Sequence, residues 1–167
     1  RRSIGCTVTN SATLRLHEHV TDTLSAPTTA LAPIPGGPYD IEFFFDPSCP
    51  WTWMTSRWLV EAAAQTDREI TWRNLSLGVI NAGREIPEKY RSPMKAAHRA
   101  HRIIAAMRAD DRNDEIGDYY TEWGRRFHHD RAEPTEKLAV TVAAASGADQ
   151  WMAAADDKRW DADIEAS

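Results

Sequence analysis

Cys49 stands where an apolar run ends and Pro50 begins a new element, a position at which a thiol becomes a nucleophile. Proline at a first helical position has its φ preset and gives up no needed donor, so Pro50 predicts a helix start with Cys49 as its N-cap. Free backbone N–H groups and the helix dipole would then favour thiolate over thiol. In the dithiol version of this turn, Cys-x-x-Cys after a strand, the second cysteine resolves the mixed disulfide. Here the fourth position is Thr52, which can hydrogen-bond a thiolate but cannot close a disulfide. A redox cycle must therefore borrow its second thiol. Pro50 and Trp51 shape the turn, so Cys49, Pro50, Trp51 and Thr52 are the candidate catalytic set. A buried structural cysteine is the competing reading.

The elements that would position this thiol follow from the flanking pattern. Ile41-Glu42-Phe43-Phe44-Phe45, bounded by Gly/Pro before and Asp46-Pro47 after, reads as a largely buried strand. A helix from Pro50 through Trp53, Met54, Trp58 and Leu59 should run to Ala64, with Gln65-Thr66-Asp67 ending it. Residues 69–77 alternate, with Ile70, Trp72 and Leu75 toward one side. That is β–α–β, hence a parallel pair with the thiol at the ligand-facing strand edge. Beyond Leu77, Gly78 to Pro93 reads as a long connection. Helical periodicity then returns at Met94, Ala97, Ala100, Ile103, Ile104 and Met107, and again at Ile116, Tyr119, Tyr120, Trp123 and Phe127. A third helix is expected from Pro134 to Gly147 and a fourth around Trp151, Met152 and Ala155. These helices should roof the catalytic turn.

Composition narrows the function classes. With 167 residues, 42% hydrophobic and a net charge of −5, the chain fits one domain carrying an insertion. Sixteen of the 20 basic residues are arginine, scattered among acids, so no nucleic-acid surface is expected. No apolar run is long enough to cross a bilayer. Cys6 and Cys49 are too few for a disulfide framework, and reduced thiols in a cytosol fit best. Arg1-Arg2 opens the chain without methionine, which reads as a fragment or processed product. No apolar run and cleavage site follow in the order of an export signal. Residues 1–38, with Pro33 to Pro38 rich in breakers, read as a disordered or non-native segment, and order should begin at Tyr39.

Other candidates are weaker. His98 and His101 lie one turn apart but off the Ala100, Ile103, Met107 stripe, so they read as solvated histidines without a third metal ligand. His128-His129-Asp130 reads as a helix C-terminus. Asp46 is either a proton acceptor for thiol exchange or a turn residue beside Pro47. Of Trp51 and Trp53, on different sides of a helix, at least one should pack inside.

Phe43 to Trp53, with Asp46-Pro47-Ser48-Cys49-Pro50-Trp51-Thr52-Trp53 followed by Thr55-Ser56-Arg57-Trp58, resembles the DsbA-like branch of the thioredoxin superfamily. It is most similar to the mycothiol-dependent nitroreductase group. The likeness continues through Leu75-Ser76-Leu77, Pro87 to Arg91 and the helical stretch, about residues 39–165. It implies an α/β, thioredoxin-like fold in which residues 39–77 form the first β–α–β half and residues 78–167 a helical insertion. It also implies that the chain ends before the cis-proline strand and the last strand and helix, so that activity belongs to the intact protein. Cys49 would be the attacking thiol. No tightly bound cofactor is implied; a low-molecular-weight thiol, mycothiol, would be the cosubstrate, and a disulfide or electrophilic small molecule the substrate. Thr52 departs from members with a second cysteine and shifts the expectation to monothiol chemistry. Two rivals stay open: a glutathione-transferase- or isomerase-like enzyme that activates a bound thiol without cycling Cys49, and a non-catalytic thioredoxin-like binding module.

Overall fold

The computed structural model describes residues 41–167; the expectations for residues 1–38, Tyr39 and Cys6 lie outside them. Strand β1 (Ile41–Phe45) leads through a four-residue turn into helix α1 (Pro50–Thr66) and returns as β2 (Ile70–Asn74). The two strands are parallel, with Ile41 opposite Ile70 and Phe45 opposite Asn74. Asp67 ends α1 in the left-handed conformation at φ 52°, close to the end read from Gln65-Thr66-Asp67. The outer edge of β2 is closed by the side chain of Asn113, which accepts from the Trp72 amide at 3.0 Å and donates to the Ile70 carbonyl at 2.7 Å.

The remaining chain is helical. It comprises α2 (Leu77–Ile80), α3 (Glu88–Ala109), α4 (Asn113–Gly124), a π-helical turn at Arg125–His129, and α5 (Leu138–Ala145). Two 3₁₀ segments, Asp149–Asp156 and Lys158–Trp160, then lead to α6 (Asp161–Glu165). One core joins sheet and helices: Phe45 and Trp72 from the strands, Ile104 and Met107 from α3, Ile116, Tyr120 and Trp123 from α4, Val142 from α5 and Trp151 beyond it. Among the described residues no helix is long and apolar enough to cross a membrane.

Several expectations need correction. β1 is not largely buried: Glu42 and Phe44 face outward and Phe45 inward, the alternation of a strand covered on one face. β2 stops at Asn74 because Ser76 turns the chain, accepting from the Val79 amide at 3.3 Å as the N-cap of α2. With period two, Asn74 and not Leu75 continues the Ile70–Trp72 face, and Asn74 is fully buried. The Gly78–Pro93 connection is shorter than read, since Pro93 sits inside α3. Near the helix start its missing N–H frees only the carbonyl of the exposed Lys89. The third helix is shorter too, Leu138–Ala145, with Gly147 at φ +77° closing it, and the fourth is 3₁₀.

Candidate active site

Asp46, Pro47, Ser48 and Cys49 form the turn between β1 and α1, with the Cys49 amide donating to the Asp46 carbonyl at 3.0 Å. Asp at the first and Pro at the second position suit this turn geometrically. Cys49 is the N-cap of α1, extended at φ −85° and ψ 113°, and Pro50 is the first helical residue, as the sequence predicts. The thiol is partly exposed and makes no capping hydrogen bond of its own. It opens into a groove of about 430 Å³, walled by Trp51 on one side and by Leu77, Asn81, Glu85 and Tyr90 on the other. Trp51 is 72% exposed at the mouth.

Thr52 does not bond the sulfur. Its hydroxyl donates to the main-chain carbonyls of Cys49 (3.1 Å) and Asp46 (3.3 Å), the usual behaviour of a threonine in the first turn of a helix. It accepts from the Tyr120 hydroxyl at 3.2 Å. Burial drives the Tyr120 phenol well above its ordinary pKa, against the opposing bonds to Thr52 and Ser56 and the nearby Arg57. Tyr120 therefore stays protonated and serves as the donor in this pair.

Trp53 supplies the packed member of the tryptophan pair. Tyr120 meets its ring edge-on, the Arg57 guanidinium lies 4.2 Å above it, and His128 lies parallel at 6.2 Å. His128 and Trp123 both donate to the Pro47 carbonyl, at 2.9 and 2.7 Å, and so clamp the turn from the helical side. Burial holds His128 below the ordinary histidine pKa, with the Pro47 carbonyl opposing. His128 thus belongs to the site, placed there by the π-helical turn that the sequence reads only as a helix end. His129 remains outside, 79% exposed and paired with Asp130.

Behind the turn lies a polar cluster in which Asp46, Asn74 and His101 are buried. The Asp46 carboxylate accepts from the Ser48 amide (2.7 Å), the Ser48 hydroxyl (2.6 Å) and the Leu77 amide (2.7 Å), and contacts His101 Nε2 at 3.1 Å. Burial alone would raise its pKa; His101, Ser48 and the Leu77 amide outweigh that and hold it below the ordinary carboxylate value. With its acceptor sites occupied, Asp46 is a turn anchor and not a free base. His101, expected in solvent, is fully buried, its Nδ1 at 3.2 Å from Asn74 Oδ1. The spacing signal was there: His101 follows Ala97 by four and precedes Ile104 by three, on one face of α3. His98 is half-buried and pairs with Asp161 at 3.0 Å. No group of three or more possible metal ligands occurs among the described residues.

A parallel β–α–β unit with a cysteine at the helix N-cap, packed under helices, is the thioredoxin-like arrangement of a mixed α/β protein. The family is narrower still. Residues 48–167 match the model of the Rv2466c-like family, described as mycothiol-dependent nitroreductase Rv2466c, and the chain belongs to that family. Over 49 residues it is 43% identical to the uncharacterized protein Rv2286c of Mycobacterium tuberculosis (strain ATCC 25618 / H37Rv). That match covers 28% of this chain and 21% of the relative, so the chain spans about a fifth of the relative's length in common.

Proposed function

We propose that the intact protein is a thiol-dependent oxidoreductase of the DsbA-like branch, working by monothiol chemistry through Cys49 with mycothiol as cosubstrate. The observation that carries this reading is a partly exposed cysteine at a helix N-cap, opening into a largely apolar groove that Trp51 and Tyr90 help to line. The family description supports the small thiol and the oxidoreductase class. In the first step the Cys49 thiolate attacks one sulfur of a disulfide; the S–S bond breaks, and the departing thiolate takes up a proton. In the second, a mycothiol thiolate attacks the mixed disulfide, forms a new S–S bond to the substrate sulfur and returns Cys49 as thiolate. A further mycothiol can then release the substrate as a thiol. Two mycothiol molecules thereby supply two electrons and are joined as their disulfide.

Pro50 sets the turn, Trp51 forms the groove wall, and Thr52, fixed by Tyr120, occupies the position where a resolving cysteine would stand. Residues 78–167 act in this reading as the helical insertion over a thioredoxin-like half formed by residues 39–77. A cytosolic setting, where small thiols stay reduced, suits the chemistry.

The test replaces Cys49 by serine in the complete protein and follows mycothiol-dependent reduction of a model disulfide. Activity should fall to the uncatalysed level. Retention of activity would instead mean that the site activates a bound thiol, as a transferase does. An inactive parent protein whose Cys49 resists alkylation when folded would leave a binding module.

A further inference from the structure

Asp46 joins the two walls of the groove. Its Oδ1 holds the amide and hydroxyl of Ser48, the residue before the nucleophile, and its Oδ2 holds the amide of Leu77, the first residue of α2. Leu77, which opens α2, and Asn81, its C-cap, line the groove together with Cys49 and Trp51, so one carboxylate is hydrogen-bonded to both segments that form it. Asp46 is 2% exposed, and among the described residues the side chain from the helical part that hydrogen-bonds its carboxylate is His101, from the middle of α3, while His128 feels its charge. Because Asp46 already accepts three hydrogen bonds as an anion, the contact at 3.1 Å requires the proton to be on His101 Nε2. On the far side of the ring, Nδ1 lies 3.2 Å from Asn74 Oδ1 at the end of β2, and Asn74 Nδ2 approaches the His101 carbonyl at 3.5 Å.

We propose that His101 is a positioning residue for the reactive thiol: it acts through Asp46, aiming the carboxylate so that Ser48 and Leu77, and with them Cys49 and the facing wall, keep one geometry. The proposal rests on Cys49 being the nucleophile, but it assigns a role that a merely space-filling histidine would not have. A packing role needs only the ring's volume; the positioning role needs the Nε2 donor.

The experiment compares His101→Leu and His101→Gln with the parent in the complete protein, with folding checked by circular dichroism. The readout is the second-order rate of Cys49 alkylation by iodoacetamide at neutral pH, followed by mass spectrometry. His101→Leu, which fills the space without a donor, should slow labelling by about tenfold, the scale of one lost buried hydrogen bond. His101→Gln, which retains an N–H of similar reach, should recover most of that loss. A folded His101→Leu that labels as fast as the parent overturns the proposal, as does a His101→Gln no faster than His101→Leu. Should the core variants fail to fold, Ser48→Ala decides at the half-buried end of the same hydrogen-bond chain. There, slower labelling is expected, and an unchanged rate counts against the proposal. A parent protein whose own Cys49 does not react removes the functional reading first; a reactive parent with indifferent variants removes only this inference.

Discussion

At the scale of single residues, the site depends on groups whose charge is set by burial or by the hydrogen bonds that oppose it. Asp46 is held below its ordinary pKa, so its share of stability is present above the unfolded carboxylate value of about 3.9 and is lost as pH falls through the lower folded value. His128 is also held low, here by burial of the charged form. Its unfolded form takes up a proton near pH 6.5, before the folded form does, so stability should already decline as pH falls below about 6.5. Melting temperature against pH is therefore expected to drop in two stages. His128→Asn should remove the upper stage, and Asp46→Asn should shrink the lower one, to which Glu122 and Asp161 also contribute, while lowering the midpoint at pH 7. Thermal scans between pH 3 and 8 check both; an unchanged upper stage in His128→Asn would contradict the assignment. Of these residues, Cys49 and Pro50 were readable from local order alone, because an N-cap and its proline are consecutive. His128 was not, because its role depends on reaching Pro47 across 81 positions of chain.

At the scale of elements, α4 approaches α1 and β2 through two glycines seven residues apart on one face. A Cβ on Gly117 would lie 2.7 Å from Trp72 Nε1, and one on Gly124 would collide with the Trp53 ring. Gly124→Ala should therefore displace Trp53 from its contacts with Tyr120 and His128, one turn from Cys49. Overpacking of this kind costs about 1–3 kcal/mol. At about 2–4 °C per kcal/mol for a chain of this size, differential scanning calorimetry should resolve the loss. Gly83 offers the contrast, since no atom lies within 4 Å of a Cβ there, although its φ of +77° still favours glycine. The helical stripes of α3 and α4 were legible from their 3.6-residue period. The ends of β2, α2 and α5 were not: Ser76 capping and Gly147 closing are single-residue decisions that periodicity averages over.

At the scale of the molecule, the β–α–β unit and the helices share one hydrophobic core, with Phe45 and Trp72 packed against Tyr120. The Cys49 turn is tied to the helices by Trp123, His128 and His101, so it should not loosen before the core does. Thermal unfolding followed by near-ultraviolet circular dichroism, which reports the packed aromatics, should coincide with the loss of Trp fluorescence and with a change in Cys49 labelling rate. A labelling transition well below the aromatic one would show that the turn opens independently. Arg102 adds a further tie, binding Asp161 through two nitrogens at 2.6 and 2.8 Å and fastening α3 to α6.

The sequence by itself determined the strand, the turn, the helix start and the place of the cysteine, because these rest on neighbours in the chain: β-branched and aromatic residues, Asp-Pro, and proline at a first helical position. The same adjacency carried the likeness to the family. Only the tertiary structure decided what surrounds the thiol. Asp46, Asn74 and His101 meet from β1, β2 and α3, and neither their types nor their spacing along the chain encodes that meeting. A buried polar group is fixed by where its partners come to lie in space, and that is settled by how the elements pack.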